Sequence, residues 1–206
     1  MVVLSESQTL RLLHEKHEVE THMAQARTLD DAQIKRVQRY LRTRRNSTRD
    51  STIFTFAFNT GLRAKELAAL CVGNAYDAEG AVRDAFVLQR SQTKGARTRT
   101  VYINRTLRVA LEQYRPTLYS VEPTAPLFES RKGGHFSANT MCQLFPAVFA
   151  DSGLNGAISH TPRRRFITEL ANKGVGVHVL TELAGHSSIL VTQRYIDAND
   201  AQLARA

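Results

Sequence analysis

Tyr195, near the C-terminus, follows two arginines and two histidines whose side chains have the chemistry needed to break a phosphodiester. Their order along the chain is Arg63, His160, Arg163, His186 and Tyr195. Two guanidinium groups can neutralise a phosphate whose negative charge grows as a fifth oxygen attacks. A phenol with a pKa of about 10 needs a base at neutral pH, and a histidine can supply one. These residues predict the attack of a phenol on a phosphodiester.

Each of these residues also has an ordinary structural interpretation. Arg63 could be a surface arginine paired with Glu66 or Glu79, and Glu66 could instead orient Arg63 from behind. His160 could simply cap or pack at the start of a helix. A tyrosine at the spacing of Tyr195 is more often a core residue than a nucleophile, although the segment around it is polar. The residues alone leave these alternatives open.

The spacing places each candidate close to a helix end. Gly61 stops a predicted helix just before Arg63, and Gly185 stops another directly before His186. A further helix is predicted to begin after His160. The N–H groups at the start of a helix favour anions. We therefore expect these helix ends to meet around one phosphate.

Apolar periodicity predicts a mainly α-helical fold with one small antiparallel β-sheet, an α+β class. Residues 5–27 are polar with few apolar anchors, which indicates an N-terminal helical arm over 1–27 ahead of a catalytic domain over 28–206. Thr28 is a candidate N-cap. Strands are predicted over 86–88 and 100–103. Helices are predicted over 28–45, 51–59, 62–72, 106–115, 137–152, 162–173, 177–184 and 188–197.

A cationic hairpin tip separates the two predicted strands. It contains Lys94, Arg97 and Arg99 beside Gly95. A lysine there would ordinarily be a solvent residue, but a finger that enters a groove could place its ammonium group on a leaving oxygen. Six arginines are candidate DNA-phosphate contacts, with a solvated face as the alternative for Arg164 and Arg165. These six are Arg36, Arg39, Arg97, Arg99, Arg164 and Arg165.

The charge balance favours a polyanionic partner. Lys plus Arg number 28 and Asp plus Glu number 19, a net charge of +9, and nucleic acid is the simplest such partner. Cys71 and Cys142 match no metal spacing and are expected to be reduced core thiols, in keeping with a cytosolic compartment. No apolar run is long enough to span a bilayer, so no membrane partner is expected.

Five stretches, in order, resemble the motifs of the tyrosine recombinase (phage integrase) family. Any one of them is weak, but their order makes coincidence improbable. They are Thr60–Leu67 around the first arginine, Thr93–Arg99 around the hairpin lysine, His160–Arg163 as the H-x-x-R box, Leu183–Ile189 as the L-G-H-S-S motif, and Tyr195 at the nucleophile spacing. The box is followed here by Arg164-Arg165-Phe166 where the family often has His-Thr-Phe.

The resemblance implies the tyrosine recombinase catalytic-domain fold and an active set of Arg63, Lys94, His160, Arg163, His186 and Tyr195. It implies that His186 hydrogen-bonds a nonbridging oxygen and that Lys94 protonates the leaving oxygen. A covalent 3′-phosphotyrosyl DNA intermediate then forms. Strands exchange through a Holliday junction without ATP, metal or other cofactor.

The expected partner is double-stranded DNA, bound by a homo-tetramer, with a monomer in the absence of DNA and accessory DNA-binding proteins left open. The short segment ahead of residue 28 resembles recombinases that lack the core-binding domain. A cytoplasmic, nucleoid-associated location is expected. Two other functions stay open, a non-catalytic DNA-binding regulator on the same fold and a simple nuclease or topoisomerase. Occupation of all six catalytic positions favours the recombinase.

Overall fold

The structure, a computed structural model, describes residues 28–93 and 98–203, with side chains up to 196. The predicted arm at 1–27 lies outside the described residues. Nine α-helices and one two-stranded sheet make up the described part. They are α1 Asp31–Leu41, α2 Ser47–Thr60, α3 Ala64–Ala68, α4 Val72–Ala75, β1 Ala85–Leu88, β2 Arg99–Tyr102, α5 Arg105–Tyr114, α6 Ala138–Asp151, α7 Thr161–Asn172, α8 Val177–Ala184 and α9 Ile189–Leu203. The predicted class, mainly α with a small antiparallel sheet, is confirmed.

The first helix is shorter than predicted. Its N-cap is Asp30, not Thr28, because the Asp30 carboxylate accepts from the backbone N–H of Gln33 and the Gln33 side chain accepts from the N–H of Asp30. This reciprocal pair is a capping box. The helix ends at Leu41 instead of Arg45, and α2 already begins at Ser47 instead of Ser51.

The helix predicted over 62–72 is divided in two. After α3 the chain runs beside residues 125–127, where Leu127 N–H donates to Leu70 O over 2.9 Å and Val72 N–H donates to Ala125 O over 2.9 Å. This pairing takes the backbone groups that a continuous helix would have used. Leu70 is fully buried, but Cys71 is only half-buried, so its expected place in the core was wrong.

The main core draws residues from most of the described elements, and an aromatic group within it joins α2 to α6. The ring of Phe54 lies 4.7 Å from that of Phe145 and contacts Phe149 edge to face. Phe56 points to another side of α2, where it packs edge to face on Phe128. Buried apolar residues therefore lie on more than one side of α2. The rigid helix places Gly61, at its C-terminal end, beside the candidate site.

The two strands pair as predicted, in antiparallel register with Leu88 opposite Arg99. Alternate residues of β2 face inward, so Arg99 and Val101 are buried while Thr100 and Tyr102 are exposed. Side chains alternate between the faces of a strand. The sheet therefore directs the Arg99 side chain into the protein.

A second, small cluster packs beneath the C-terminal helices. It consists of Ile167, Ala184 and Tyr195, with Phe166 and Val191 packed against it. We call this group the tyrosine cluster. It joins α7, α8 and α9, so it sets the position of Tyr195 relative to the preceding helix ends.

Candidate active site

Arg63 and Glu66 form the first part of the site. Gly61, with a φ of 61°, turns the chain out of α2 and places Arg63 at the N-cap of α3. The Arg63 Nη1 donates to Glu66 Oε1 over 2.9 Å, and the Arg63 backbone N–H donates to Glu66 Oε2 over 2.8 Å. The buried carboxylate of Glu66 thus orients Arg63 from behind, one of the two interpretations left open by the sequence.

Arg163 joins the C-terminal ends of two helices. Its Nη1 donates to Gly61 O at the end of α2 over 2.7 Å, and its Nη2 donates to Ala184 O at the end of α8 over 2.7 Å. Carbonyl groups at helix C-termini carry partial negative charge, so they suit a guanidinium group. Burial, and after it the positive charge of Arg63, lowers the pKa of Arg163 to about 9. Because this value is still above neutral pH, the guanidinium group stays charged.

Arg99 lies inside the site, not on the surface as expected of a DNA-phosphate contact. Its Nη1 donates to Leu183 O over 2.6 Å, and its Nη2 lies 3.3 Å from Glu66 Oε2. Glu66 therefore contacts the guanidinium group of Arg63 through Oε1 and that of Arg99 through Oε2. The sequence could have revealed this, because every second residue of a strand points to the same face. Arg99 is spaced in this way from the apolar residues Val101 and Ile103, so it is expected to point inward with them.

Positive charge exceeds negative charge in this part of the protein. Arg63, Arg99 and Arg163 each have a positive charge. Among the described residues, the acidic side chain that interacts with all three is that of Glu66. The Nε groups of Arg99 and Arg163 are buried and have no hydrogen-bond partner among the described residues. Buried unpartnered donors are rare in proteins, and these two leave N–H groups available to a further acceptor. The chemistry of this group suits an anion.

His186 lies between the end of α8 and the start of α9, as its flanking residues predicted. Gly185 has a φ of 62°, and the backbone N–H of His186 donates to Thr181 O. The His186 Nδ1 lies 2.8 Å from Thr192 Oγ1, while Nε2 has no partner in the described part of the chain. Burial, then the charges of Arg163, Arg63 and Arg99, lowers the pKa of His186 to about 2. The ring is therefore neutral at physiological pH.

Tyr195 stacks on His186. The ring centroids are 5.4 Å apart and the planes are inclined by 20°. The side chain is only 2% exposed, and no described residue hydrogen-bonds its hydroxyl group. The Tyr195 hydroxyl is close enough to the Arg163 guanidinium group for the two to interact electrostatically. A buried phenol usually finds a partner, so this unpartnered hydroxyl marks Tyr195 as a candidate functional group.

The family follows from comparison with known proteins. The model of the phage integrase family matches residues 27–202. The chain belongs to the phage integrase family. A tyrosine recombinase XerD from Chlorobaculum tepidum is 31% identical over 173 residues, which cover 82% of this chain and 53% of that protein. A tyrosine recombinase XerC from Syntrophus aciditrophicus is 28% identical, covering 71% of this chain and 48% of that protein.

Solved structures share the fold of this phage integrase family member. The XerA recombinase matches with a TM-score of 0.68 at 19% identity, covering 86% of this chain and 64% of that chain. The Tn1549 transposon integrase, in complex with a circular intermediate DNA, matches with a TM-score of 0.63 at 19% identity, covering 87% and 66%. The recombinase catalytic-domain fold expected from the motifs is confirmed. The chain spans about half the length of the two curated relatives named above.

The other residues predicted for the integrase site have different positions. His160 is the half-buried N-cap of α7, one turn before Arg163. Arg164 is buried instead of solvated, and burial lowers its pKa. Arg165 pairs with Asp31 and Glu169, which ties α7 to α1. Arg36 and Arg39 lie exposed on α1. Lys94 and Arg97 lie outside the described residues.

Two threonines were missed as members of the site. Thr181 and Thr192 are buried behind His186, and from the sequence Thr192 is only one residue of the polar segment around Tyr195. In the described residues no group of three His, Cys, Asp or Glu side chains could hold a metal ion. No helix of the described part is long and apolar enough to cross a bilayer.

Proposed function

We propose that this chain is a site-specific DNA recombinase in which Tyr195 is the nucleophile. Residues 28–206 would form the catalytic domain, and the active set is Arg63, Lys94, His160, Arg163, His186 and Tyr195. The phenol attacks a DNA phosphodiester and forms a 3′-phosphotyrosyl intermediate. The released 5′-hydroxyl of another strand then attacks that ester, and strands exchange through a Holliday junction.

One observation carries the proposal: a surplus of guanidinium groups, those of Arg99 and Arg163 buried, beside a buried phenol that has no partner among the described residues. A phosphodiester supplies negative charge to balance the excess positive charge of Arg63, Arg99 and Arg163. Its charge rises as the fifth oxygen bonds to phosphorus, so cations that are already fixed stabilise the transition state more than the ground state. The carbonyl and carboxylate contacts hold Arg63 and Arg163 in place before DNA binds.

The reaction conserves bonds and protons. The Tyr195 oxygen bonds to phosphorus while the bond from phosphorus to the 5′-oxygen breaks. The phenol proton goes to a histidine, and the 5′-oxygen receives a proton, for which Lys94 is the candidate donor. Because the phosphotyrosyl ester keeps the energy of the phosphodiester, the reverse attack by a hydroxyl group needs no nucleotide cofactor.

The partner is proposed to be double-stranded DNA. The Tn1549 integrase structure is a complex with DNA, and the net charge of +9 suits a polyanion here. Arg36 and Arg39 are exposed on α1 and are proposed to bind backbone phosphates, together with Arg97. A homo-tetramer assembled on DNA is proposed as the recombining species.

Covalent capture tests the proposal. We expect the protein to form a denaturant-resistant adduct with a nicked suicide duplex carrying its recombination site, and Tyr195→Phe to abolish the adduct completely while duplex binding survives. The reason is that phenylalanine keeps the ring but has no attacking oxygen. Gel analysis after denaturation, with mass spectrometry of the modified peptide, measures the result. Tyr119→Phe, at a fully solvated tyrosine 94% exposed, is the matched control and should react as the wild type.

The other outcomes separate the alternatives. An adduct that persists in Tyr195→Phe would assign the nucleophile to another residue. Duplex binding by the wild type without any adduct would favour the non-catalytic DNA-binding regulator. Cleavage followed by hydrolysis or resealing of the same strand, with no exchange between two sites, would favour the nuclease or topoisomerase.

A further inference from the structure

Three side chains behind Tyr195 form a chain of hydrogen bonds that ends on a carbonyl group. The hydroxyl of Thr181 donates to Val177 O over 2.7 Å. Thr181 Oγ1 lies 2.8 Å from Thr192 Oγ1, which lies 2.8 Å from His186 Nδ1. All three side chains are buried, with Thr192 at 0% exposure.

The carbonyl fixes the direction of every proton in this chain. Val177 O has no hydrogen, so the single hydroxyl proton of Thr181 must point to it. Thr181 is then an acceptor toward Thr192, whose own proton is used in that bond. Thr192 is in turn an acceptor toward His186. The Nδ1 atom of His186 must therefore carry the hydrogen.

The opposite ring nitrogen is consequently an acceptor. A neutral imidazole has one N–H and one lone pair, so a ring protonated at Nδ1 has its lone pair at Nε2. The three neighbouring arginine cations and burial keep the ring neutral in the free protein. A neutral Nε2 cannot donate to a nonbridging phosphate oxygen, which is the role that the resemblance implied for His186. It can accept a proton.

Tyr195 supplies the complementary group. Its hydroxyl is a donor without a partner among the described residues. Its ring stacks on that of His186, whose Nε2 is an acceptor that also has no described partner. In the observed stack the rings lie nearly face to face, whereas a hydrogen bond to Nε2 needs the donor near the plane of the imidazole. Tyr195 therefore has to leave the stack before the proton can pass, as it must in any case to reach a phosphate.

We propose that Thr181 and Thr192 are positioning residues that hold His186 as the Nδ1–H tautomer, so that Nε2 accepts the phenol proton of Tyr195 during attack on DNA. The proton transfer from Tyr195 rests on the proposed function, whereas the tautomer of His186 does not. As the oxygen of Tyr195 bonds to phosphorus, its proton moves to Nε2 and the bond to the 5′-oxygen breaks; that oxygen takes a proton from the candidate acid Lys94. The imidazolium formed has two N–H groups, and only then can Nε2–H donate to the phosphate.

The bound phosphate favours this transfer electrostatically. In the free protein Arg63, Arg99 and Arg163 oppose a positive His186. A phosphodiester placed among them offsets their charge, and the transition state adds further negative charge. The same anion that the arginines bind thus raises the basicity of Nε2 at the moment when the phenol proton has to leave.

The tautomer is tested in the free protein by nitrogen NMR with labelled histidine. We expect His186 at neutral pH to show hydrogen on Nδ1 and a bare Nε2. In Thr192→Val, which keeps the shape but removes the acceptor, this preference is expected to disappear, and Thr192→Ser should restore it. In Thr181→Val, Thr192 is free to turn its hydroxyl to Nδ1, so the Nε2–H tautomer should appear. Hydrogen on Nε2 in the wild type, or a charged ring, would overturn the inference.

The catalytic step is tested by single-turnover adduct formation on the suicide duplex. We expect Thr192→Val to slow it by about 10- to 100-fold, the usual effect of removing a partner that orients a functional histidine, and Thr192→Ser to recover most of the rate. Thr52→Val is the matched control, since Thr52 is equally buried and bonds only to Thr48 O within α2. Thermal unfolding verifies that each variant is folded.

The two proposals fail in different ways. If the wild type forms no adduct at all, the proposed function fails, while the NMR result still decides the tautomer. If the wild type forms the Tyr195 adduct and Thr192→Val reacts at the same rate, the transfer to His186 is wrong and the recombinase proposal stands.

Discussion

The main aromatic core and the tyrosine cluster hold the two halves of the site in different ways. The core packs Phe54, Phe56, Phe145 and their neighbours around α2 and fixes the helix that ends at Gly61. The tyrosine cluster has three buried members and two partly buried ones. Local opening requires less free energy where fewer apolar contacts must break.

The difference is functional. The Nη groups of the arginine half are held by carbonyl and carboxylate groups before any DNA is present, whereas the Tyr195 hydroxyl and His186 Nε2 have no partners among the described residues. Because Tyr195, the proposed nucleophile, belongs to the small cluster, it can leave its stack without disturbing the arginines of the proposed anion site. We infer that the reaction begins by rearrangement of the tyrosine half.

The largest expected effect comes from replacing two equally buried isoleucines, one in each region. Ile53 in the main core and Ile167 in the tyrosine cluster are both fully buried. Replacement by alanine should cost about 2–5 kcal/mol, toward the upper end at Ile53 and the lower end at Ile167, because a small cluster collapses more easily around the lost volume. Urea unfolding measures both.

The same pair should differ in activity. Ile167→Ala removes a side chain of the tyrosine cluster that positions Tyr195, so it should slow single-turnover adduct formation. Ile53→Ala should leave the rate of the folded protein unchanged. Equal losses of stability and equal rates would show that the two regions form one cooperative unit and that the comparison is wrong.

Two glycines test the close approach between the hairpin and the His186 loop. Gly185 has a φ of 62°, and a Cβ there would lie 2.8 Å from Arg99 Cδ; Gly174 has a φ of 79° and nothing within 4 Å. A side chain in this backbone region costs about 1–2 kcal/mol, so Gly174→Ala should show that cost alone. Gly185→Ala should lose more stability and also displace Arg99. Denaturant midpoints of the two variants measure the difference, and equal midpoints would contradict the contact.

The pH dependence of stability isolates His186. Its pKa is about 2 in the folded protein and 6.5 in an ordinary environment, so below pH 6.5 the unfolded chain binds a proton that the folded chain does not. Stability is therefore fully present above that pH and falls as the pH is lowered, by about 1.4 kcal/mol per pH unit in acid.

His186→Gln removes this contribution. Its free energy of unfolding, measured in urea at pH 7, 6 and 5, should fall less steeply than that of the wild type. His178→Gln, at an exposed histidine on α8, serves as the control and should follow the wild type. Parallel curves for wild type and His186→Gln would show that His186 is not held neutral in the fold.

Much of the local structure could be predicted from the sequence. Gly61 and Gly185 end their helices in the left-handed conformation, and α7 begins directly after His160, as the sequence indicated. These features depend on backbone conformation over a few residues, which residue type controls directly. Helix bounds were less accurate, because the pairing of residues 70–72 with 125–127 overrides local helix propensity.

The sequence by itself determined the order of the chemical groups and the helix ends that carry them. Only the tertiary structure decided that Arg99 and Arg164 are buried and that Glu66 serves two arginines. It also decided that a carbonyl of α8 directs the proton on His186. Residue type and spacing fix local backbone geometry. The direction of a hydrogen bond and the sharing of a carboxylate depend on atoms that are distant along the chain and meet only when the helices pack.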